Sequence, residues 1–450
     1  MHSEPARRAA ELAARSSYGK LVAILAMQNR DIAGAEDALS EALLSALDVW
    51  PAKGVPSNPE ACLVTAARNR LRNAARAGQV KRLAEPEIAR RLAPLPDLAE
   101  LPNLAEVPNL SEVPNLSEVP DDRLRLMFVC AHPAIDPAAR SPLILQTVLG
   151  LDAARIARAF LTEPTAMSQR LVRAKARIRD AGLRFELPQA EDMPGRHGAV
   201  LEAIYAAFGQ GWDGVEAPDA PDSDGREALT GERIRLARLL VNLLPTEPEP
   251  TGLLSLMLYC SARRNARRNA RRDAQGGFVP LDSQDARLWD RAMIIEAEGL
   301  LTSAARAGRF GRYQCEAAIQ SVHIQRPVTG RVNRAALLVL YDLLVTHSDS
   351  IGARIGRAVV LAEAGDPASG LAALDALAPA RVARHQPCWV ARSFILERSR
   401  ERTGALAALN TAVELTEDTA VLAYLSQKIG LLQDGSDAFT LSRPAPHQSG

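Results

Sequence analysis

The sequence predicts an all-α protein: two small helical lobes followed by a longer α-helical, repeat-like domain. Three observations carry that reading. Alanine, leucine and arginine dominate while aromatic residues make up only 4% of the chain, a composition that favours helix over strand. Apolar residues recur three and four apart along segment after segment, the spacing of a helix face. The clearest breaks between those segments are rich in proline.

Composition bounds the rest. At 450 residues the chain has room for about three domains, and 47% apolar residues permit sizeable cores. The formal net charge is +1, so any nucleic-acid surface must be local. Charge is uneven along the chain. Arg68, Arg70, Arg72, Arg76, Lys81 and Arg82 follow one another with no acid between, whereas 202–232 is acidic. Cys62, Cys130, Cys260, Cys315 and Cys388 are odd in number and far apart. They argue against a disulfide framework and for the reducing cytoplasm. No charged-then-apolar leader and no membrane-length apolar run is visible, so no membrane partner is expected.

Residues 1–16 read as an Ala/Arg/Glu-rich tail. The first lobe, 17–84, is helical throughout. One helix is expected over 18–27. A second is expected over 31–49, capped by Asp31, with Ile32, Ala35, Leu39, Leu43 and Leu47 on its apolar face. Its other face carries Glu36, Asp37 and Glu41. A break follows at 51–59, PAKGVPSNP, and helix resumes over 60–79. Residues 85–120 form a linker containing LPDLAE, LPNLAE, VPNLSE and VPNLSE. A proline every six residues forbids continuous helix. At ~3.1 Å per residue the extended repeat reaches up to ~80 Å, enough for the flanking lobes to bind separate places on one large partner.

The second lobe, 121–187, holds the most informative stretch, LDAARIARAFLTEPTAMSQRLVRAKARIRDAG at 151–182. Ile156, Ala157 and Phe160 share one face of a short helix. Thr162 is the expected N-cap of the next helix, with Glu163 and Pro164 in its first turn. There Met167, Leu171, Ala174 and Ile178 make an apolar stripe. The other faces carry Thr165, Ser168, Gln169, Arg170, Arg173, Lys175, Arg177 and Arg179, with no acid among them. A short scaffold helix followed by a basic one is the layout of a helix-turn-helix, whose second helix fits a major groove. Cys130 and His132 sit two apart, but no other Cys or His lies at ligand spacing, so packing is favoured over a metal.

The third domain spans 188–440. After a loop at 188–198, helices are expected over 200–208, 231–244, 252–264, 285–307, 312–323, 334–345, 351–364, 367–377, 387–402, 403–415 and 419–432. RAVVLAEAG at 357–365 and AALD at 372–375 are small-residue patterns of tetratricopeptide-like solenoids. RRNARRNARRDA at 263–274 reads as a low-complexity basic loop suited to acidic partners.

Four segments of the first two lobes are RDIAGAEDALSEALLSAL (30–47), NPEACLVTAARNRL (58–71), PDDRLRLMFVCAHPAI (120–135) and QRLVRAKARIR (169–179). They resemble extracytoplasmic-function sigma factors of bacterial RNA polymerase. LLPTEPEPTGLLSLMLYCSARR (243–264), QDARLWDR (284–291) and YQCEAAIQSVH (313–323) extend the resemblance to the subgroup with a C-terminal tetratricopeptide-like domain. The resemblance implies two sigma lobes, region 2 at 17–84 and region 4 at 121–187. Their partners would be core RNA polymerase, through its clamp and flap, and promoter DNA. It implies that Asp31, Glu36, Asp37 and Glu41 face a basic coiled coil of the polymerase clamp. The loop 51–58, ending at Asn58, would hold an unstacked promoter base. Arg68, Asn69, Arg70, Arg72 and Arg76 would follow the minus-ten backbone. Thr165, Ser168, Gln169 and Arg170 would face the minus-thirty-five groove, with Arg173, Lys175 and Arg177 on its phosphates. The C-terminal domain would be the control element, open to an unidentified regulator.

The chain departs from that family at several places. Cys62 stands where Trp is usual and Asn73 where Asp is usual. Thr165-Ala166 inverts the common order, Thr162-Glu163-Pro164 replaces Val-Pro-Glu, and Gly209-Gln210-Gly211-Trp212 replaces Asn-Glu-Gly-Tyr. These departures motivate an alternative: a helical-repeat scaffold or DNA-binding regulator that no longer engages polymerase. No Gly-rich phosphate loop, Gly-x-Ser-x-Gly or His-Glu-x-x-His is present. No enzymatic chemistry, metal or cofactor is therefore expected, and His323 reads as a packed helix residue.

Overall fold

The structure is a computed structural model that describes Arg7, Ala10, 17–88, 121–160, 162–189, 191–212, 223–263, 272–273 and 275–434. The hexad repeat, nearly all of the N-terminal tail and most of the Arg-rich loop lie outside those residues. The fold is all-α: no strand occurs among the described residues, where Arg272 and Phe278 form an isolated bridge. The chain divides into two compact units at Gln210/Gly211.

In the first unit, α1 (Tyr18–Asn29), α2 (Ile32–Lys53) and α3 (Pro59–Ile88) pack mutually. Leu21, Val22, Ala23, Leu25 and Ala26 of α1 are each at most 1% exposed. Helix α2 buries Ile32, Ala35, Leu39, Ala42, Ala46 and Trp50. The expected stripe through Leu43 and Leu47 is corrected. Each step of four residues rotates a position by about 40° around a helix of 3.6 residues per turn. Two such steps from Leu39 carry Leu47 out of the core, while steps of three and four through Ala42 and Ala46 stay in it. The break expected at 51–59 also starts later. Helix α2 runs through Pro51 to Lys53 and stops at Gly54, whose φ of 89° suits glycine. Pro51 forgoes a single hydrogen bond there, in a solvent-facing last turn.

Helices α4 (Asp122–Cys130), α5 (Pro137–Thr147), α6 (Ala153–Ala159) and α7 (Pro164–Asp180) make the second lobe. Three aspartates start its helices: Asp121, Asp136 and Asp152 accept from the amides of Arg123, Ala138 and Arg155. Helix α8 (His197–Trp212) joins this unit through α5, because Ser141 Oγ bonds the Ala199 carbonyl at 3.2 Å and the Glu202 carboxylate. The unit therefore extends past 187, where the sequence alone placed its end.

The second unit is helical and repeat-like. Helix α9 (Ser223–Leu243) packs on α10 (Pro248–Ala262), which is buried almost all round and packs in turn on α11 (Arg291–Ala305) and α12 (Arg312–Ile324). The one-turn α13 (Arg326–Thr329) leads to a chain of neighbours: α14 (Arg334–His347), α15 (Ile351–Glu363), α16 (Pro367–Asp375), the one-turn α17 (Pro379–Val382), α18 (Gln386–Arg398), α19 (Arg402–Glu414) and α20 (Thr419–Gln433). Their cores follow one another. Ile319, Leu337 and Val360 lie in one; Ile355, Leu374 and Ile395 in the next; Leu409, Leu425 and Leu432 in the last. Such stacking is the mark of a solenoid, in which each element contacts its neighbours.

The helix expected from 285 begins at Arg291 instead. Asp290 caps it through the Met293 amide at 3.0 Å, and Asp285 starts a separate 3-10 turn, Ala286–Leu288. Two aspartates that favour caps over helix interiors explain the delay. The segment before them crosses to α20, where Arg272 pairs with Asp418 at 2.8 Å and the Phe278 ring meets Tyr424 edge-on, centroids 5.3 Å apart.

Leu25→Ala removes a fully buried side chain of α1 and is expected to cost about 2–5 kcal/mol. Hydrogen exchange should show the loss of protection in α1 to α3, with the second unit unchanged.

Candidate nucleic-acid interface

Helix α7 divides sharply into two faces. Met167, Leu171, Ala174 and Ile178 are buried against the lobe, as their spacing predicts. Pro164 occupies the first helical position, and Glu163 is the N-cap in place of the expected Thr162. The Thr162 hydroxyl is buried with no hydrogen-bond partner among the described residues. A proline, having no N–H, fits the first helical position and so shifts the cap to the residue before it.

Thr165, Ser168, Gln169, Arg173 and Arg177 all face solvent. Val172 joins them at 67% exposure. Val172 is absent from the sequence-predicted set, although its place off the apolar stripe, next to Arg173, is legible in the sequence. An exposed methyl pair there matches the thymine methyl of a major groove. Arg170 is half-buried, and Arg177 also reaches the Ala134 carbonyl at 3.4 Å.

Lys175 is placed otherwise. Its ammonium meets the Glu36 carboxylate of α2 at 2.5 Å, with the side chains only 13% and 15% exposed. The reason lies in the helix wheel: Lys175 is four residues after Leu171 and three before Ile178, so it borders the buried stripe. Burial holds the Glu36 carboxyl above its ordinary range, and Lys175 offsets only part of that rise. Lys175 bonds one Glu36 oxygen, Oε2, while Oε1 is buried without a partner among the described residues.

The two lobes meet along this line. Helix α1 packs on α4 and α5, and α2 on α7. Gly19 lies so close that a Cβ there would sit 1.7 Å from the Val148 carbonyl oxygen. The Tyr18 ring lies against Gly150. Burial, then the charges of Glu36 and Asp37, raises the Tyr18 hydroxyl far above its usual value. Nearby, Cys130 is fully buried and bonds Thr147 at 3.6 Å, and burial pushes its thiol up to about 12. His132 accepts the Ala134 amide at 3.0 Å.

On the first lobe, Asn69, Arg72 and Arg76 of α3 face solvent. Arg68 is half-buried and bonds Gln28 at 2.9 Å; burial, then Arg72, lowers its pKa. Arg70 turns toward α2, pairing with Glu41 at 3.0 Å and with Ser45. Asn58 caps α3, its Oδ1 accepting the Ala61 amide at 3.0 Å. Among the acids, Asp31 is half-buried at the start of α2, while Asp37 and Glu41 are exposed. Leu44, 64% exposed, and Leu47 stand beside them. The rotation that takes Leu47 out of the core puts both leucines on the acidic side of α2.

Residues 196–305 match a family of unknown function (DUF6596). An uncharacterized protein of Rhizobium meliloti (strain 1021) is 33% identical over 419 residues, covering 93% of this chain and 95% of that one. No solved structure matches the chain. No helix among the described residues is long and apolar enough to cross a membrane.

Asn58→Ala should weaken the first turn of α3 by about 1 kcal/mol, and Asn58→Ser should restore it. Hydrogen exchange at residues 60–64 separates this capping role from any contact with a nucleic-acid base.

Proposed function

The chain belongs to one family with the Rhizobium meliloti protein along nearly its whole length, and on that premise we propose that it is a promoter-specificity factor of the extracytoplasmic-function sigma type. The observation that carries this reading is α7: a helix with a fully buried apolar stripe, following the short α6 as in a helix-turn-helix, whose opposite face is exposed, without an acid from Thr165 to Arg179, and rich in groups of the kind that read or grip DNA. Gln169 and Thr165 would meet base edges and Val172 a thymine methyl, while Arg173 and Arg177 hold phosphates. On the first lobe, Asn69, Arg72 and Arg76 would track the minus-ten backbone.

The polymerase surface in this reading is the exposed side of α2. Asp37 and Glu41 supply charge opposite a basic coiled coil, and Leu44 and Leu47 supply apolar area that a charged face alone lacks. The factor performs no chemistry of its own and works where polymerase works, in the cytoplasm. The repeat-like unit is the regulatory element.

A second reading is a scaffold that no longer engages polymerase, favoured by the internal pairing of both Glu36 and Glu41. Pull-down with core polymerase separates the two: no association even at low salt supports the scaffold.

Run-off transcription with core polymerase on DNA upstream of this protein's own gene tests the proposal, and a transcript dependent on the factor is expected. Gln169→Ala should change which upstream element is preferred, at a cost of about 1–3 kcal/mol for the original base. Arg173→Ala should weaken binding to all duplexes alike and reduce the salt slope by about 1.

A further inference from the structure

We propose that the side of the repeat-like unit lined by α12, α13, α15 and α20 is a docking face for an extended protein segment, and that residues 272–284 of this chain are its resident ligand. The partner is a segment of another protein that carries an aromatic side chain and, four residues on, a carboxylate. It binds by displacing the resident. The proposal stands on the second unit alone and does not depend on the sigma-type reading.

Residues 272–284 sit on these helices as a peptide sits on a receptor. The three cores of the series close without them: among the described residues, none of 272–284 belongs to those cores. From Arg272 to Ser283 no described residue is fully buried. The backbone is extended at Pro280 and Gln284, on either side of the 3-10 turn Leu281–Ser283. Proline presets the extended form, so less entropy is lost on docking.

The contacts are those of recognition. Asp273 pins a tight turn by accepting the amides of Gln275 and Gly277 at 2.9 and 2.6 Å, and an isolated bridge sets Arg272 beside Phe278. Both then meet α20, Arg272 at Asp418 and Phe278 edge-on at Tyr424. Farther along, Arg326 grips backbone and acid together. Its Nη1 donates to the Asp282 carbonyl at 2.6 Å and to the Asp282 carboxylate at 3.0 Å, and its Nη2 donates to the Leu281 carbonyl at 3.3 Å. Bonds to carbonyls are open to any sequence, whereas the ring and the carboxylate select one.

The face also keeps bonding capacity that the resident leaves unused. His323 Nδ1 of α12 is buried with no partner among the described residues. Burial lowers the His323 pKa, the Asp282 charge opposes that, and Arg263 and Arg326 add to it, so His323 lies among the groups that surround the acid. Burial and then Asp282 raise the Tyr424 hydroxyl. Burial also raises the Glu363 carboxyl of α15, with Asp282 adding to it against Arg334. One exposed carboxylate thus acts on three helices.

A tethered ligand acts at an effective concentration on the order of mM. A free copy therefore competes in the parent chain only near that concentration, and weakening the resident lowers the requirement. Phe278→Ala weakens it while leaving Tyr424 and Arg326 in place. The probe is a dye-labelled peptide with the sequence of 276–284, followed by fluorescence anisotropy on the full chain. The parent is expected to bind it only near ~1 mM, and Phe278→Ala at least about 10-fold tighter. Phe278→Ala/Arg326→Ala should lose that gain, as should a probe with alanine in place of its phenylalanine and aspartate. If Phe278→Ala loses helix by circular dichroism, Asp282→Ala takes its place, since that side chain is exposed. Equal affinity of parent and weakened variant, or no binding by either, overturns the proposal and leaves 272–284 a permanent part of the fold. So does a gain that survives Arg326→Ala or the altered probe, because the peptide then docks elsewhere.

Discussion

Helix α1 has almost no free face, and the first unit depends on that constraint. Its apolar residues are buried by α2 and α3 on one side and by α4 and α5 on the other. A helix so enclosed cannot belong to one lobe alone. The absence of a side chain at Gly19 lets two backbones touch, and dispersion over such a contact is large because every atom has a partner. The ion pair between Glu36 and Lys175 lies within reach because this packing sets α2 beside α7.

That constraint explains the division of labour among charged residues. Cations far from the stripe of α7, such as Arg173, remain in solvent. The one that borders the stripe is drawn into the lobe contact and meets an acid there. The same logic operates on α2 and α3, where Arg70 turns inward to Glu41 while Arg72 and Arg76 point away. Half-buried pairs fix orientation more than they add stability, since desolvation offsets much of the attraction. Their value to this protein lies in which surfaces they cover.

The second unit follows a different principle. Its cores form a series, each shared by neighbouring helices. Ahead of α11, Arg272 pairs with Asp418 and the Phe278 ring meets Tyr424, so that part of the chain reaches the last helix of the series. Arg326, bonded to Asp282 at 3.0 Å, holds the middle of that segment.

Local pattern alone determined the fold class, the stripe of α7 from Met167 to Ile178 and the exposed set Thr165, Ser168, Gln169, Arg173 and Arg177. Helical periodicity records which face of an element is apolar, and a strongly amphipathic helix has one way to use it. Even the drift of Leu47 out of the core follows from 3.6 residues per turn. Only the tertiary structure decided that Lys175 meets Glu36 across 139 positions of sequence, that Gly19 touches Val148, that α8 joins the first unit, and that Leu44 remains exposed. Those are pairings between distant segments. A sequence states what each face can bury, but which distant face comes to cover it is settled by the packing of the whole chain.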